Sequence, residues 1–205
     1  MVDGQKSMFC SLEESPGEIR TMAKSLGIGI DDLEKKGLHL LSWIPENQSP
    51  DAFISTLRSR IEDLGPSLLV LDGLSTFKHM YSQEMYSITR RLVNLTESHG
   101  ITSIFTFLAD QESGPILSSH GIFSIFQNII LLRYLEADAQ LKRSMLILKM
   151  RASNHDQSIL QFEIQNKAGL KIAGEMKEYQ GILSGIAQKV YKRYIEKERK
   201  ILEKE

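Results

Sequence analysis

Two features of the sequence predict an α/β fold. It would be a mainly parallel sheet flanked by helices, with an antiparallel strand extension and a helix at the carboxyl end. The first feature is a pair of continuous apolar runs of strand length, SLLVLD (67–72) and ITSIFTF (101–107). Strands covered on both faces by helices read as unbroken apolar runs rather than as alternation. A helical stretch, 82–98, lies between them and sets Ile88, Leu92 and Leu95 inward, with His99-Gly100 as its stop. The second feature is a change of pattern after Gly114-Pro115, where short strands follow one another without helices between them.

The elements follow in order. Ser7 to Leu12 is a short apolar strand, ending at Glu13-Glu14. Ser15-Pro16-Gly17-Glu18 opens a helix, because Ser15 can cap the free N–H groups, Pro16 suits the first helical position and Glu18 completes a capping box. Ile19, Met22, Ala23 and Leu26 follow at helical spacing, and Gly27 ends the helix. Asp31 with Glu34 repeats the capping signal for a second short helix. Leu38 to Ile44 reads as a strand stopped by Pro45. Ser49-Pro50 starts a helix whose apolar face is Phe53, Ile54, Leu57, Ile61 and Leu64, broken by Gly65-Pro66. Later strands are expected within 121–135 (its IILLRYL end), 144–150, 160–164 and, more weakly, 169–173. From 176 to 205, Ile186, Val190, Tyr194, Ile201 and Leu202 recur at helical spacing, so a charged helical tail is expected from about Ile186. This gives one domain over 1–185 and a tail over 186–205.

Composition excludes several classes. The 205 residues hold 25 Lys+Arg against 26 Asp+Glu, a net charge of −1, whereas a general polyanion binder needs a basic excess. Nucleic acid is therefore not an expected partner. The basic tail residues Lys189 to Lys204 are interleaved with Glu196, Glu198 and Glu203, as on a solvated or partner helix. A single cysteine, Cys10, forms no internal disulfide and fits a reducing cytoplasm. No apolar run approaches the roughly 20 residues of a membrane span, and MVDGQKSMFC has no signal-peptide core.

Three groups of residues can carry chemistry. Asp72 ends a buried strand, where α/β sheets bind ligands and where an acid can hold Mg²⁺ through water; an Asx turn at Asp72-Gly73 uses the same residues. Glu13 and Glu14 could polarise a water for attack on phosphorus, or could simply favour the helix N-terminus that follows. Lys149 and Arg151 lie two apart on a strand and so share a face, a two-pronged cation suited to phosphate oxygens, or the basic guard of a sheet edge. His155 and Asp156 follow in the next loop, with no second histidine or cysteine near enough for a zinc site. A phosphate loop requires G-x-x-x-x-G-K-[ST] between strand and helix. The nearest string, GQKS (4–7), lacks the Gly-Lys pair and runs into a strand.

The order of these motifs resembles the KaiC family of RecA-type ATPases. The resemblance is carried by FCSLEES (9–15), Leu26-Gly27, Asp72 after its apolar run, IILLRYLE (129–136), LKMRASNHD (148–156) and YQGILSG (179–185), and covers about 4–185. It implies a RecA-like fold and a hexameric ring with ATP and Mg²⁺ between subunits. Glu13 and Glu14 then take the paired-glutamate positions, Glu13 as water-activating base, and Asp72 the Walker B position. Lys149 and Arg151 take the positions that contact a neighbour's phosphates in trans, with His155 on the nucleotide-binding side. Leu26 falls where some members place an aromatic near adenine. The resemblance also implies a missing amino-terminal unit: one core strand, the glycine-rich loop and its helix. The chain alone is then expected to be inactive or nearly so, and poorly soluble or tightly associated. Circadian-clock members carry an adjacent Ser-Thr phosphorylation pair. Here Ser124 falls on that position between Phe123 and Ile125, so a two-site cycle and clock function are not expected. The alternatives are a non-catalytic module that offers trans basic residues to a neighbour, and a recombinase-like nucleic-acid protein.

Overall fold

A computed structural model describes residues 5–44, 49–108, 121–137, 139–177, 179–180 and 188–189. The chain divides into two compact units, 1–126 with 166–169, and 127–165 with 170–205. The first unit is α/β. Its strands β1 (Ser7–Ser11), β2 (Leu38–Ser42), β3 (Leu68–Asp72) and β4 (Thr102–Phe105) form one sheet in the order β2-β1-β3-β4, and every pairing is parallel.

The helices are α1 (Pro16–Ser25), α2 (Ile30–Lys35), α3 (Pro50–Leu64), α4 (Ser75–Met80) and α5 (Met85–Ser98). Helix α1 starts as its sequence predicts, with both halves of the capping box formed between Ser15 and Glu18. These bonds hold the Glu18 carboxyl below its ordinary range. Ser49 caps α3, and Gly65 ends it in the left-handed conformation at φ 61°. The α2 expectation needs correction: Asp31 makes no cap, because the N-cap is Gly29 without a side-chain bond. Arg20 of α1 instead takes Glu34 at 2.6 Å and Asp31 at 3.7 Å, so the acids tie the two helices together. Met22, at 48% exposure, is not on the buried face that Ile19 and Ala23 define.

The core lies on one face of the sheet. Met8, Cys10, Leu69 and Leu71 point into it and meet Phe53, Leu57 and Ile61 of α3, Phe77 of α4, and Ile88 and Leu92 of α5. Trp43, Phe53, Phe77 and Tyr81 pack one against the next with tilted rings, their centroids 5.4, 5.4 and 6.4 Å apart. Cys10 is sealed there, and burial pushes its thiol up to about 12. The run 101–107, read as a buried strand, is shorter and more open than expected. β4 spans Thr102–Phe105 at the sheet edge, and Ile104 is 51% exposed.

The second unit is antiparallel. β5 (Asn128–Ala137), β6 (Gln140–Met150), β7 (Leu160–Gln165) and β8 (Gly169–Glu175) are ordered β5-β6-β7-β8, and β5 with β6 and β6 with β7 run antiparallel. The tail expectation is corrected at its start. Gln188–Lys189 (β10) pairs antiparallel with Tyr179–Gln180 (β9) rather than beginning a helix. Residues 190–205 of the expected helix lie outside the described residues. Among the described residues no helix is long and apolar enough to cross a membrane.

Candidate functional site

The connections that leave β1 and β3 diverge. From β1 the chain passes through α1 and α2 to β2 on one side, and from β3 it passes through α4 and α5 to β4 on the other. This divergence opens a crevice at the carboxyl ends of β1 and β3, the place where open α/β sheets take ligands. Glu13 follows β1 and Asp72 ends β3, so both stand at that opening.

Local bonds fix each carboxylate. Leu12 is buried and donates its N–H to the Asp72 carbonyl at 2.9 Å, while Trp43 donates to the Ser11 carbonyl at 2.9 Å. The end of β1 is thus clamped on both sides. Ser11 Oγ then accepts the N–H groups of Glu13 (3.2 Å) and Glu14 (2.9 Å) and donates to Glu14 Oε2 at 2.6 Å. That turn draws Glu14 back onto β1 and sends Glu13 the other way. Thr76 Oγ1 donates to Glu13 Oε1 at 2.8 Å. Gly73 makes this approach possible. It sits at φ +87°, and a Cβ there would lie 3.0 Å from Glu13 Cγ and Cδ.

Asp72 is held from β4. Thr106 Oγ1 donates to Asp72 Oδ1 at 2.5 Å and accepts the Gly73 N–H at 2.8 Å. Ser75 Oγ accepts the Leu108 N–H at 3.2 Å. A surface cavity of about 280 Å³ results, lined by Glu13, Asp72, Gly73, Ser75, Thr106, Phe107 and Leu108. Among the described residues its lining has two carboxylates and no basic side chain.

The donor set suits a hard cation, since carboxylate and hydroxyl oxygens are what Mg²⁺ takes alongside water and phosphate. Among the described residues no three His, Cys, Asp or Glu side chains converge as a cage for a metal. A triphosphate does not fit this lining unaided, because two carboxylates without a cation repel it.

The other residues singled out from sequence lie elsewhere. Glu14 is bonded to Ser11 and does not line the cavity. Leu26, half-buried, is the C-cap residue of α1. Ser124 ends a 3₁₀ turn, Ile122–Ser124, and donates to the Gly121 carbonyl at 2.6 Å.

Lys149, Arg151 and His155 belong to the second unit. Lys149 is on β6, but Arg151 lies just past the strand, where its N–H continues the pairing to the Gln127 carbonyl at 3.1 Å. Partial burial and then the Arg151 charge both lower the Lys149 pKa, so the two cations are close enough to feel one another. His155 is half-buried in the loop before β7, and its charge contributes to lowering the Asp156 pKa, after the larger effect of the Ser158 bonds.

Sequence reading missed Ser11, Thr76 and Thr106. The signal was a hydroxyl residue at or just beyond the carboxyl ends of the apolar runs, where Ser11 reaches Glu14 of its own turn and Thr76 and Thr106 reach the acids of β1 and β3.

Comparison with known proteins agrees with this architecture. The profile of the family described as "ATPase: KaiC" matches residues 1–177. "Circadian clock oscillator protein KaiC" of Thermostichus vulcanus is 29% identical over 191 residues, 91% of this chain and 36% of that protein. The protein of the same name in Parathermosynechococcus lividus is 30% identical over 188 residues, 90% of this chain and 34% of that protein. The one in Synechococcus elongatus is 28% identical over 185 residues, 88% and 35%. The chain spans about a third of the length of the curated relatives it matches. With a parallel α/β sheet, an antiparallel extension and a profile match over most of its length, the chain has a RecA-like fold and belongs to the KaiC ATPase family.

Proposed function

We propose that residues 1–185 are one KaiC-type ATPase domain carrying half of a nucleotide site, with 186–205 as an appended tail. The observation that supports this reading most is the meeting of Asp72 and Glu13 at the divergence of β1 and β3, on one cavity. Asp72 is the Walker B acid and would hold Mg²⁺ through water, using the oxygen not bonded to Thr106. The metal would supply charge to the phosphates. Glu13 orients the attacking water and accepts its proton. Glu14, tied to Ser11, supports the turn.

Lys149 and Arg151 are assigned to a neighbouring subunit's phosphates, His155 and Leu26 to the nucleotide's surroundings, and Ser124 to the family's phosphorylation position. The assembly is a homo- or hetero-oligomeric ring in the cytoplasm. Phosphoryl transfer depends chiefly on positioning and charge stabilisation. A lining of carboxylates, in a sequence without G-x-x-x-x-G-K-[ST], therefore supports inactivity of the chain alone.

The paired cations at the end of β6 favour a second reading, a non-catalytic ring member that lends them to a neighbour. Both readings are tested by measuring Mg-ATP affinity and turnover of the purified chain, alone and mixed with a KaiC relative that has a phosphate loop. The expected result is no turnover alone and a raised rate in the mixture that Arg151→Ala abolishes. If Asp72→Asn also abolishes the gain, the first reading holds; if it does not, the second does. Unaided turnover at the rate of an intact relative sinks the half-site idea.

A further inference from the structure

A second cavity, of about 210 Å³, lies against β1, β2 and the carboxyl end of α3. It shares no lining residue with the acidic cavity. Its origin is the way α3 covers the sheet. Met8 pairs with His39 and Cys10 with Leu41, so these four lie on the sheet face that α3 packs against. Helix α3 buries Leu57 and Ile61 there with Met8, Leu69 and Leu71 of the inner strands. Strand β2 is the sheet edge, and its face is covered less well: Leu41 is half-buried and His39 exposed. The uncovered trough has an apolar part, Met8, Leu41 and Leu64, and a polar part, His39, Arg60 and Asp63.

The polar part is unsatisfied. Arg60 and Asp63 stand three apart on α3, a spacing at which opposite charges commonly pair. Among the described residues, neither of them nor His39 makes a hydrogen bond or an ion pair. Asp51, at the other end of the same helix, does take Arg91 at 2.6 Å. The last turn of α3 also holds no basic residue to offset the partial negative charge of the helix end.

We propose that this cavity is a binding site for a free α-amino acid with an apolar side chain of about the size of leucine. Each group in the lining then has a counterpart. Met8, Leu41 and Leu64 take the hydrocarbon. The Arg60 guanidinium takes the carboxylate, to which His39 offers a ring nitrogen, and Asp63 at the end of α3 takes the ammonium. The same charges disfavour other classes. Asp63 repels a phosphate or a nucleotide. A fatty acid leaves Asp63 without a partner, and a simple amine leaves Arg60 without one. The space is smaller than the roughly 300 Å³ at which drug-sized ligand pockets begin, so the occupant is small. The inference stands apart from the half-site reading, because it uses neither Glu13 nor Asp72.

The test uses the full chain with labelled Met and Leu methyl groups, titrated with L-leucine in NMR. The expected result is saturable shifts at Met8, Leu41 and Leu64, with none at Leu12 beside the acids. Three probes each lack one feature: 4-methylpentanoate has no ammonium, 3-methylbutylamine no carboxylate, and glycine no hydrocarbon. Each should bind about tenfold or more weakly than leucine. Arg60→Ala should weaken leucine about tenfold and leave 3-methylbutylamine unchanged. Asp63→Ala should weaken leucine about tenfold and leave 4-methylpentanoate no weaker. Both side chains are exposed, so both variants should fold, and circular dichroism checks this.

No saturable shift at these three methyl groups overturns the site. Leucine affinity unchanged in either variant, or 4-methylpentanoate binding as tightly as leucine, overturns the amino-acid assignment. The half-site reading is decided by nucleotide turnover in the mixed assembly, so either can fail without the other.

Discussion

The parallel and antiparallel sheets solve burial differently. In the first unit the inner strands β1 and β3 send Met8, Cys10, Leu69 and Leu71 under α3, α4 and α5, where they are sealed from water. In the second unit β5 leaves Ile130, Leu132 and Tyr134 at 60, 55 and 56% exposure. Its register places Ile147, Met145 and Arg143 directly opposite them on the same side. Arg143 covers Tyr134 by lying 5.3 Å from its ring, an amphipathic cover rather than a packed layer. No helix belongs to this unit among its described residues. The difference shows where stability resides. The first sheet seals one face under helices and presents acids at its carboxyl end, while the second buries Leu135, Leu146 and Phe162 but leaves Ile130, Leu132 and Tyr134 as an open apolar face.

The sharpest way to break this contrast is a pair of aromatic truncations. Phe77→Ala empties a fully buried site between Phe53 and Tyr81 in the row of tilted aromatic rings and should cost about 3–5 kcal/mol in urea unfolding. Tyr134→Ala removes a half-exposed ring and should cost under about 1 kcal/mol. Equal losses would mean that the second sheet is buried as deeply as the first.

Cys10 extends the test to pH. Its thiol is raised from the ordinary 9.0 to about 12 by burial alone. Below pH 9 both folded and unfolded chains keep the proton and its contribution is whole. As pH rises from 9 toward 12 the unfolded chain ionises first, so stability falls. Cys10→Ala should flatten that part of the stability curve, and the native thiol should resist alkylation until denaturant is added.

Smaller effects probe the rim. Gly73→Ala forces a left-handed φ on a residue with a Cβ and crowds Glu13, for an expected cost of about 1–3 kcal/mol by thermal unfolding. Ser15→Ala loses the α1 cap, about 1 kcal/mol. Arg20→Ala removes a partly exposed ion pair and should cost under about 1 kcal/mol, less at high salt. If Arg20→Ala proved costlier than Gly73→Ala, the positive φ and the close approach of Glu13 would not be what holds the rim.

Much of the first unit was legible because its signals are local. The capping box at Ser15 and Glu18, the stop at Gly65 and the apolar spacing of α3 each lie within a few residues, and each forms as read. Misreadings came where a distant partner competes. Asp31 has the spacing of a cap but answers to Arg20 across α1 and α2. The apolar run 101–107 looks buried, yet β4 lies at an edge because no described strand pairs beyond it. Lys149 and Arg151 seemed to share a strand, but β6 ends at Met150.

The site divides the same way. Asp72 and the Glu13-Glu14 pair announce themselves at the ends of apolar runs. Ser11, Thr76 and Thr106 do not, because hydroxyl residues abound in this chain; Ser11 meets Glu14 in a local turn, and only the pairing of β1, β3 and β4 brings Thr76 and Thr106 to the acids.

By itself, then, the sequence determined most of the order of strands and helices, though not α4 or β10, and it marked the sealed apolar face and the candidate acids, since periodicity and capping act over a few residues. Only the tertiary structure decided that Glu13 rather than Glu14 faces the cavity and that Thr106 holds Asp72. It also decided that β4 ends the described sheet, because strand order and side-chain reach depend on contacts between residues more than thirty positions apart.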